Sequence, residues 1–393
     1  MTAAASLLPA APAPAPAPRP APRVRKVLHI LHAIRYSGAE IMLRIAAPEF
    51  QRQGLDLHIL TDSPPAENDY AATLEAVGYT VHYLPWANDS RPDVGAVRRF
   101  MRRHRFDVVH NHTEQSFLWY GLAARQAGVP RCVHTVHNSF EYRGLLRVKR
   151  AAYRLLARRL LGGRFIAIGP SVQEIERRVN FNPTTLVPNW VDSEHFVPAR
   201  SAAEREDCRR ALGLRPEQLV LVSVGSCIES KNHHDIFMAL GQLAAELAER
   251  VVYLHVGDGH LHHAEQEYAQ SLNLRAEVRF LGQLLDVRPV LLASDLFVMT
   301  SRFEGLGMSL LEAQSCAIPA VVYDATGLRD LVQDHRTGRL LPPTPGHLAA
   351  AITELAANPA ERVRLGQAGH RQAREQYSLA GSLQRLLALY EAS

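Results

Sequence analysis

An alternation that runs through the chain twice limits the fold more than any other feature. From Lys26 onward, short β-branched apolar runs at 27–32, 57–61, 81–84, 108–112, 133–137 and 165–168 are separated by longer segments of helical periodicity. Runs of this kind read as strands buried on both faces, and strands alternating with helices build a parallel sheet covered on both sides. Prolines and charges interrupt the pattern over 188–216, and it restarts with runs at 219–224, 251–256, 278–281, 296–300 and 320–323. The chain is therefore expected to be α/β, with two doubly wound parallel-sheet domains over 23–190 and 191–378. A last helix over 379–393 follows the break at Tyr377-Ser378 and is placed to pack back on the first domain. A length of 393 residues suits two cores. Residues 1–22 alternate Ala and Pro and are expected to lie extended outside the fold.

Several classes fall away. No apolar run approaches the roughly 20 residues that span a bilayer, and no basic start with a long apolar core marks a signal peptide. Cys132, Cys208, Cys227 and Cys316 lie far apart without a C-x-x-C pair, which argues against a disulfide framework or zinc knuckle and suits a reducing cytoplasm. Residues 1–190 hold 25 Lys and Arg against 14 Asp and Glu, and the remainder 19 against 25, so an anionic partner is expected for the first half only. Nucleic acid is a poor candidate for it, because no aromatic platform or known module accompanies the charge.

Ligands of such sheets bind beyond the carboxyl ends of the strands, so the loops there carry the candidates. The most informative follows the 296–300 run: Ser301-Arg302-Phe303-Glu304-Gly305-Leu306-Gly307-Met308, then a helix containing Glu312. The start of such a helix offers unpaired N–H groups to an anion. Eight residues at 1.5 Å each would put Glu304 and Glu312 roughly 12 Å apart if all helical, too far for the ~5 Å dyad of a retaining glycosidase. That spacing suits a grip on two separated hydroxyl-bearing parts of one long ligand. The plainer alternative is a capping Glu304 and a solvated Glu312. After the 219–224 run comes Gly225-Ser226-Cys227-Ile228-Glu229-Ser230-Lys231, where Gly225 permits close backbone approach and Lys231 reaches a diphosphate, unless it is only a surface lysine. Gly257-Asp258-Gly259 lacks the third glycine of a dinucleotide fingerprint, so NAD is not expected. In the first half, Gly38 opens a helix after the first run. His110 and His112, with His134 and His137, form two His-x-His-like pairs at strand ends, but no third ligand of suitable spacing accompanies them. His137 is read as a hydrogen-bonding group in the cleft, and no metal is expected.

In order and spacing these motifs resemble those of family 4 glycosyltransferases. The E-x(7)-E pattern from Glu304 to Glu312 carries the likeness best. With it stand Gly38-Ala39-Glu40, the Val133-His134-Thr135-Val136-His137-Asn138 segment, Val187-Pro188-Asn189 followed by Val191-Asp192, and Lys231-Asn232. The resemblance runs from about Val27 to the C-terminus. It implies the GT-B fold, two Rossmann-like domains facing across a cleft, and transfer of a sugar from a nucleotide diphosphate donor, UDP-linked, to a polysaccharide or lipid-linked glycan, with retention at the anomeric carbon. It also implies roles. Glu304 contacts the donor sugar, Glu312 the ribose, and the Gly305, Leu306, Gly307 and Met308 backbone the sugar and diphosphate. Lys231 stabilises the departing diphosphate, with Gly38 and Gly225 lining its path, and His137 bonds the sugar near the reacting centre. No cofactor is implied. An epimerase of the same fold and a non-catalytic nucleotide-sugar binder are the alternatives.

Three positions depart from the family pattern: Ser226 stands where an arginine is usual, and Trp190 and Ser37 where glycines are. Loss of a charged hydrogen bond to phosphate costs about 1.5–3 kcal/mol, and Arg302 and Arg329 are the candidate substitutes. Finally, segment 143–164 reads as a basic amphipathic helix, with Arg143, Arg147, Arg150, Arg154 and Arg158 along one face and Leu145, Val148, Ala152, Leu155 and Leu156 along another. Such a helix either rests on anionic lipid at the inner face of the cell membrane or covers the sheet, its apolar stripe serving the core.

Overall fold

The computed structural model describes residues 24–84, 92–139 and 143–391. The Ala/Pro segment 1–22 lies outside the described residues, as do the last two residues of the expected final helix. There are two sheets, and every strand pair in them is parallel. The first contains β1 (Lys26–Leu31), β2 (Asp56–Thr61), β3 (Thr80–Tyr83), β4 (Val108–Asn111), β5 (Arg131–Val136), β6 (Gly163–Ala167) and β7 (Thr185–Leu186), in the order β3-β2-β1-β4-β5-β6-β7. The second contains β8 (Leu219–Val224), β9 (Val251–Val256), β10 (Glu277–Phe280), β11 (Leu296–Met299), β12 (Ala320–Tyr323) and β13 (Arg339–Leu341), in the order β10-β9-β8-β11-β12-β13. The α/β class and the two doubly wound sheets are as the alternation requires. β7 and β13 escape the periodicity, because edge strands of two and three residues are too short to show a pattern.

In each sheet the order reverses beside the first strand, between β1 and β4 and between β8 and β11. Crevices at such reversals are where loops diverge and leave room for a ligand. The two halves press their carboxyl ends together through a shared core in which Phe117, Val136 and Ile168 of the first meet Leu306, Leu310 and Leu328 of the second. The chain crosses between them near Val191 and returns near Ser378, and these two residues bridge each other. The final helix, Leu379–Glu391, buries Leu383, Leu386 and Tyr390 in the first-domain core with Val27, Val108 and Ile166. The Tyr390 hydroxyl lies 2.6 Å from His110 Nδ1. No helix among the described residues is long and apolar enough to cross a membrane, and all four cysteines are free.

One helix turns its apolar line outward, against the alternative in which that line serves the core. The basic segment forms Gly144–Leu161 and stops at left-handed Gly162, so Arg164 belongs to β6. Arg154, expected on the outer basic face, is 1% exposed. Its guanidinium bonds Glu176 at 2.7 Å and Glu114 at 2.9 Å, and Arg150 donates to the Glu114 carbonyl at 2.6 Å. The apolar line looks outward instead: Leu145 is 88%, Val148 65% and Leu160 65% exposed, and Leu155 and Leu156 are exposed too. Two carboxylates beneath the helix, from residues far off in sequence, turned it. Removing the guanidinium partner of buried carboxylates costs about 3–5 kcal/mol.

Candidate active site

A cleft of about 520 Å³ lies between the two carboxyl edges. Gly38, His137, Gly225, Lys231, Glu304, Gly305, Leu306, Gly307, Met308 and Glu312 all line it. The sequence separates these residues by up to 274 positions, and the two switch points bring them together.

On the second-domain side, two loops are tied edge to edge. Arg302 N donates to the Ser230 carbonyl at 2.8 Å, and Thr300 Oγ1 to the carbonyls of Lys231 at 3.1 Å and Asn232 at 2.8 Å. Asn232 takes the left-handed conformation that ends the turn, one that Asn tolerates. The tie sets Lys231 Nζ 2.6 Å from Glu304 Oε1, with side chains 19% and 13% exposed. Glu304 N is held by the Thr326 carbonyl at 2.9 Å. Gly307, at φ 84°, turns the chain into the helix Met308–Ser315, whose first turn has no side-chain cap. Ser309 Oγ fastens that turn to the Val224 carbonyl at 2.8 Å. The unpaired N–H groups at Met308 and Ser309 therefore border the cleft beside the ammonium. Glu312 lies in the second turn of the helix. Burial, with Asp286 adding repulsion, pushes its carboxyl up to about 8. Leu306 sends its side chain into the interdomain core, leaving only backbone for a ligand.

The first domain contributes a chain of histidines. His137 Nε2 meets His112 Nδ1 at 2.9 Å, and His112 Nε2 meets His29 Nδ1 at 3.1 Å. In each pair one nitrogen donates and the other accepts, so the tautomers of the three rings are coupled. Burial, with His134 adding to it, lowers the His137 imidazole to about 4, so His137 is a neutral hydrogen-bonding group at pH 7. His29, His110 and His112 come close enough for a shared ion. Yet His110 already bonds Tyr390 and Thr135, and His112 bonds its two neighbouring rings. The His137 carbonyl comes so near Gly305 that a Cβ there would stand 2.0 Å from it, which accounts for the glycine. Ser139 Oγ donates to the Glu304 carbonyl at 2.7 Å across the same seam.

Two readings need correction, and one residue escaped notice. Arg302 and Arg329 do not line the cleft: Arg302 is exposed elsewhere, and Arg329 pairs with Asp324 at 2.9 Å. Arg44, on the helix Gly38–Arg52, does line it and is exposed. Its position two turns beyond Gly38 was the available signal. Trp190 is a packing residue, 4% exposed, whose indole N–H donates to the Met42 carbonyl at 3.2 Å. Ser37 bonds the buried Glu40 carboxyl within the first helical turn. Gly257 and Gly259 serve loop packing, since a Cβ on either would strike the Gly225 or Cys227 carbonyl, at 1.9 and 2.6 Å.

The family model described as Glycosyltransferase Family 4 matches residues 36–195, and that described as Glycosyl transferases group 1 matches residues 204–372. Over 327 residues the chain is 31% identical to the Bacillus subtilis protein EpsF, named as a glycosyltransferase, covering 77% of this chain and 79% of that one. Over 255 residues it is 31% identical to an Escherichia coli UDP-Gal:alpha-D-GlcNAc-diphosphoundecaprenol alpha-1,3-galactosyltransferase, covering 62% of this chain and 64% of that one. Among solved structures, Anabaena HepE in complex with UDP aligns with a TM-score of 0.79 at 19% identity, over 92% of this chain and 98% of that one. WaaG, described as a glycosyltransferase involved in lipopolysaccharide biosynthesis, aligns at 0.73 and 16%, over 93% and 100%. At those identities the structures speak for the fold. Two paired sheets, a family profile over each, and a relative matched along most of its length agree: the chain belongs to the family 4 glycosyltransferases and has their GT-B fold.

Proposed function

We propose that the chain moves a sugar from a nucleoside diphosphate donor, UDP-linked, to a hydroxyl of a growing polysaccharide or lipid-linked glycan, with retention at the anomeric carbon. The observation that carries this reading is the convergence of Lys231, an uncapped helix start and two carboxylates in one cleft. The ammonium and the N–H groups suit a diphosphate. Glu304 and Glu312 suit hydroxyls, which donate to carboxylate oxygens. The names of similar proteins point the same way: one relative's name specifies UDP-Gal and a diphosphoundecaprenol-linked glycan, and one neighbour was solved with UDP-glucose.

In the reaction, the bond from the anomeric carbon to the phosphate oxygen breaks as the acceptor oxygen bonds that carbon on the same face. The acceptor proton passes to the departing phosphate oxygen, so no protein carboxylate need act as nucleophile. Lys231, Arg44 and the N–H groups at Met308 supply the positive field for the developing charge, and no metal is called on for this step. Arg44 takes the part that Ser226 cannot. Glu304 and neutral His137 orient the sugar, and Glu312 orients the ribose.

The exposed apolar face of helix Gly144–Leu161 suits the same acceptor. A crossover helix between β5 and β6 starts on the cleft side of the sheet, and Leu145, its most exposed apolar residue, stands at that end. Arg147, Lys149 and Arg159 are exposed beside the leucines. Apolar residues ringed by cations fit an anionic bilayer, so the first domain is proposed to rest on the cytoplasmic face of the membrane, where lipid-linked glycans would reach the cleft.

The test is transfer and donor hydrolysis by the purified protein across a panel of nucleotide sugars, with Glu304→Gln and Lys231→Ala compared. Loss of turnover in both, with the fold intact, is expected. Wild-type rates in both would remove the assignment.

A further inference from the structure

Behind the loop that carries Gly225 and Lys231, away from the cleft, four metal-binding side chains meet. Cys227 comes from that loop, His233 from the turn after it, His255 from β9, and Glu265 from the helix His262–Ser271. One ligand atom from each lies within 4.8 Å of all the others. Cys227 Sγ and His255 Nε2 are 3.2 Å apart. Cys227 and His255 are fully buried, and His233 and Glu265 nearly so.

The geometry points to a structural zinc(II) site made by Cys227, His233, His255 and Glu265, fastening the back of the donor-side loop to the sheet. A tetrahedral zinc with one sulfur at about 2.3 Å and nitrogen or oxygen ligands at about 2.0–2.2 Å puts ligand atoms roughly 3.3–3.8 Å apart. The cluster is within about an ångström of that spacing. His255 has the surroundings of a zinc ligand: its Nδ1 lies 3.0 Å from Ser223 Oγ, which is in turn 2.5 Å from the Tyr253 hydroxyl. With that nitrogen engaged, Nε2 is left aimed at the sulfur. The Cys227 thiol proton leaves as the metal enters.

One thiolate, two imidazoles and one carboxylate favour zinc over magnesium or calcium. Four protein ligands leave no open position, so the ion would be structural. The loop is already pinned at this point, with Cys227 N bonded to the Asp258 carbonyl at 3.0 Å and Leu261 N to the Cys227 carbonyl at 3.0 Å. A metal at Cys227 would hold the backbone from which Lys231 projects. The proposal stands apart from the donor assignment and survives if that assignment fails.

The test uses the full chain, stripped with a chelator and reloaded. Elemental analysis is expected to give about one zinc per chain, and stoichiometric zinc is expected to raise the Tm of the stripped protein. Cobalt(II) in its place is expected to show tetrahedral visible bands and a thiolate-to-cobalt charge-transfer band. Cys227→Ser should abolish that band, and His255→Gln should weaken or abolish cobalt binding, while Cys208→Ser, remote from the cluster, keeps both. If either variant misfolds, the wild-type spectrum still decides. Substoichiometric metal, cobalt without a thiolate band, or a band that survives Cys227→Ser would show the cluster to be closed by hydrogen bonds alone, His233 to Glu265 and Cys227 to His255, and would overturn the site.

Discussion

Each half of the molecule has an ion-paired centre, and the two are built to opposite ends. In the first half Arg154 sits between Glu114 and Glu176 with hardly any of its side chain exposed. Burial alone would raise the Glu114 carboxyl, but the hydrogen bond with His134 and the charge of Arg154 hold it down to about 2. In the second half Lys231 and Glu304 form a closer pair by distance but keep an open side on the cleft. The closed centre has no room to exchange partners and fixes the orientation of a helix. The open one can give up its internal bond to a ligand that offers both an anion and hydroxyls. A place on the cleft wall, more than the strength of the pair, separates the functional ion pair from the structural one.

That contrast can be broken most sharply at Arg154. Arg154→Met leaves Glu176 buried without a counter-ion and Glu114 with only Arg150, 3.6 Å away, as a cation, and is expected to cost about 3–5 kcal/mol of stability, read as a lower midpoint in urea, with nucleotide affinity unchanged at temperatures where the variant is folded. The wild-type protein should also lose stability as pH falls. Glu114 is depressed from 4.5 to about 2 by folding, so its contribution is complete above about 4.5 and disappears on the way down to about 2. The Met variant should show a flatter acid limb.

Lys231→Ala should do the reverse, leaving the urea midpoint nearly in place while transfer slows by about 10²–10³-fold. A large stability loss without a rate effect would show the cleft pair to be structural after all. A smaller effect belongs to Glu312. Its carboxyl, raised to about 8, accepts from ribose hydroxyls more strongly once ionised, so donor affinity should fall by about tenfold between pH 8 and pH 6. Glu312→Gln should flatten that dependence, and isothermal titration at several pH values measures it. Least in magnitude, Leu145→Ser with Leu160→Ser should reduce sedimentation with anionic vesicles by about tenfold, with turnover on a water-soluble acceptor unchanged. Equal binding of the wild type to neutral vesicles would count against the electrostatic part.

The alternation of strand and helix, legible from Lys26 onward, determined the two parallel sheets, because a doubly buried strand has to be apolar along its whole length wherever it lies. Motifs at the strand ends located Glu304, Glu312, Lys231, Gly38 and His137, since a parallel sheet sends all its carboxyl ends to one edge. Periodicity also found the two lines of helix Gly144–Leu161. Which line faces the sheet was decided by Glu114 and Glu176, 40 and 22 residues from Arg154 along the chain. Arg44 reaches the cleft, and Arg302 does not, because of how the helix and the loop are docked. Cys227, His233, His255 and Glu265 follow no ligand spacing in the sequence and meet only when β8, β9 and the next helix pack. Local pattern encodes what each segment must bury. Charge pairing and convergence depend on distances between segments, and those exist only once the sheets have folded and closed on each other.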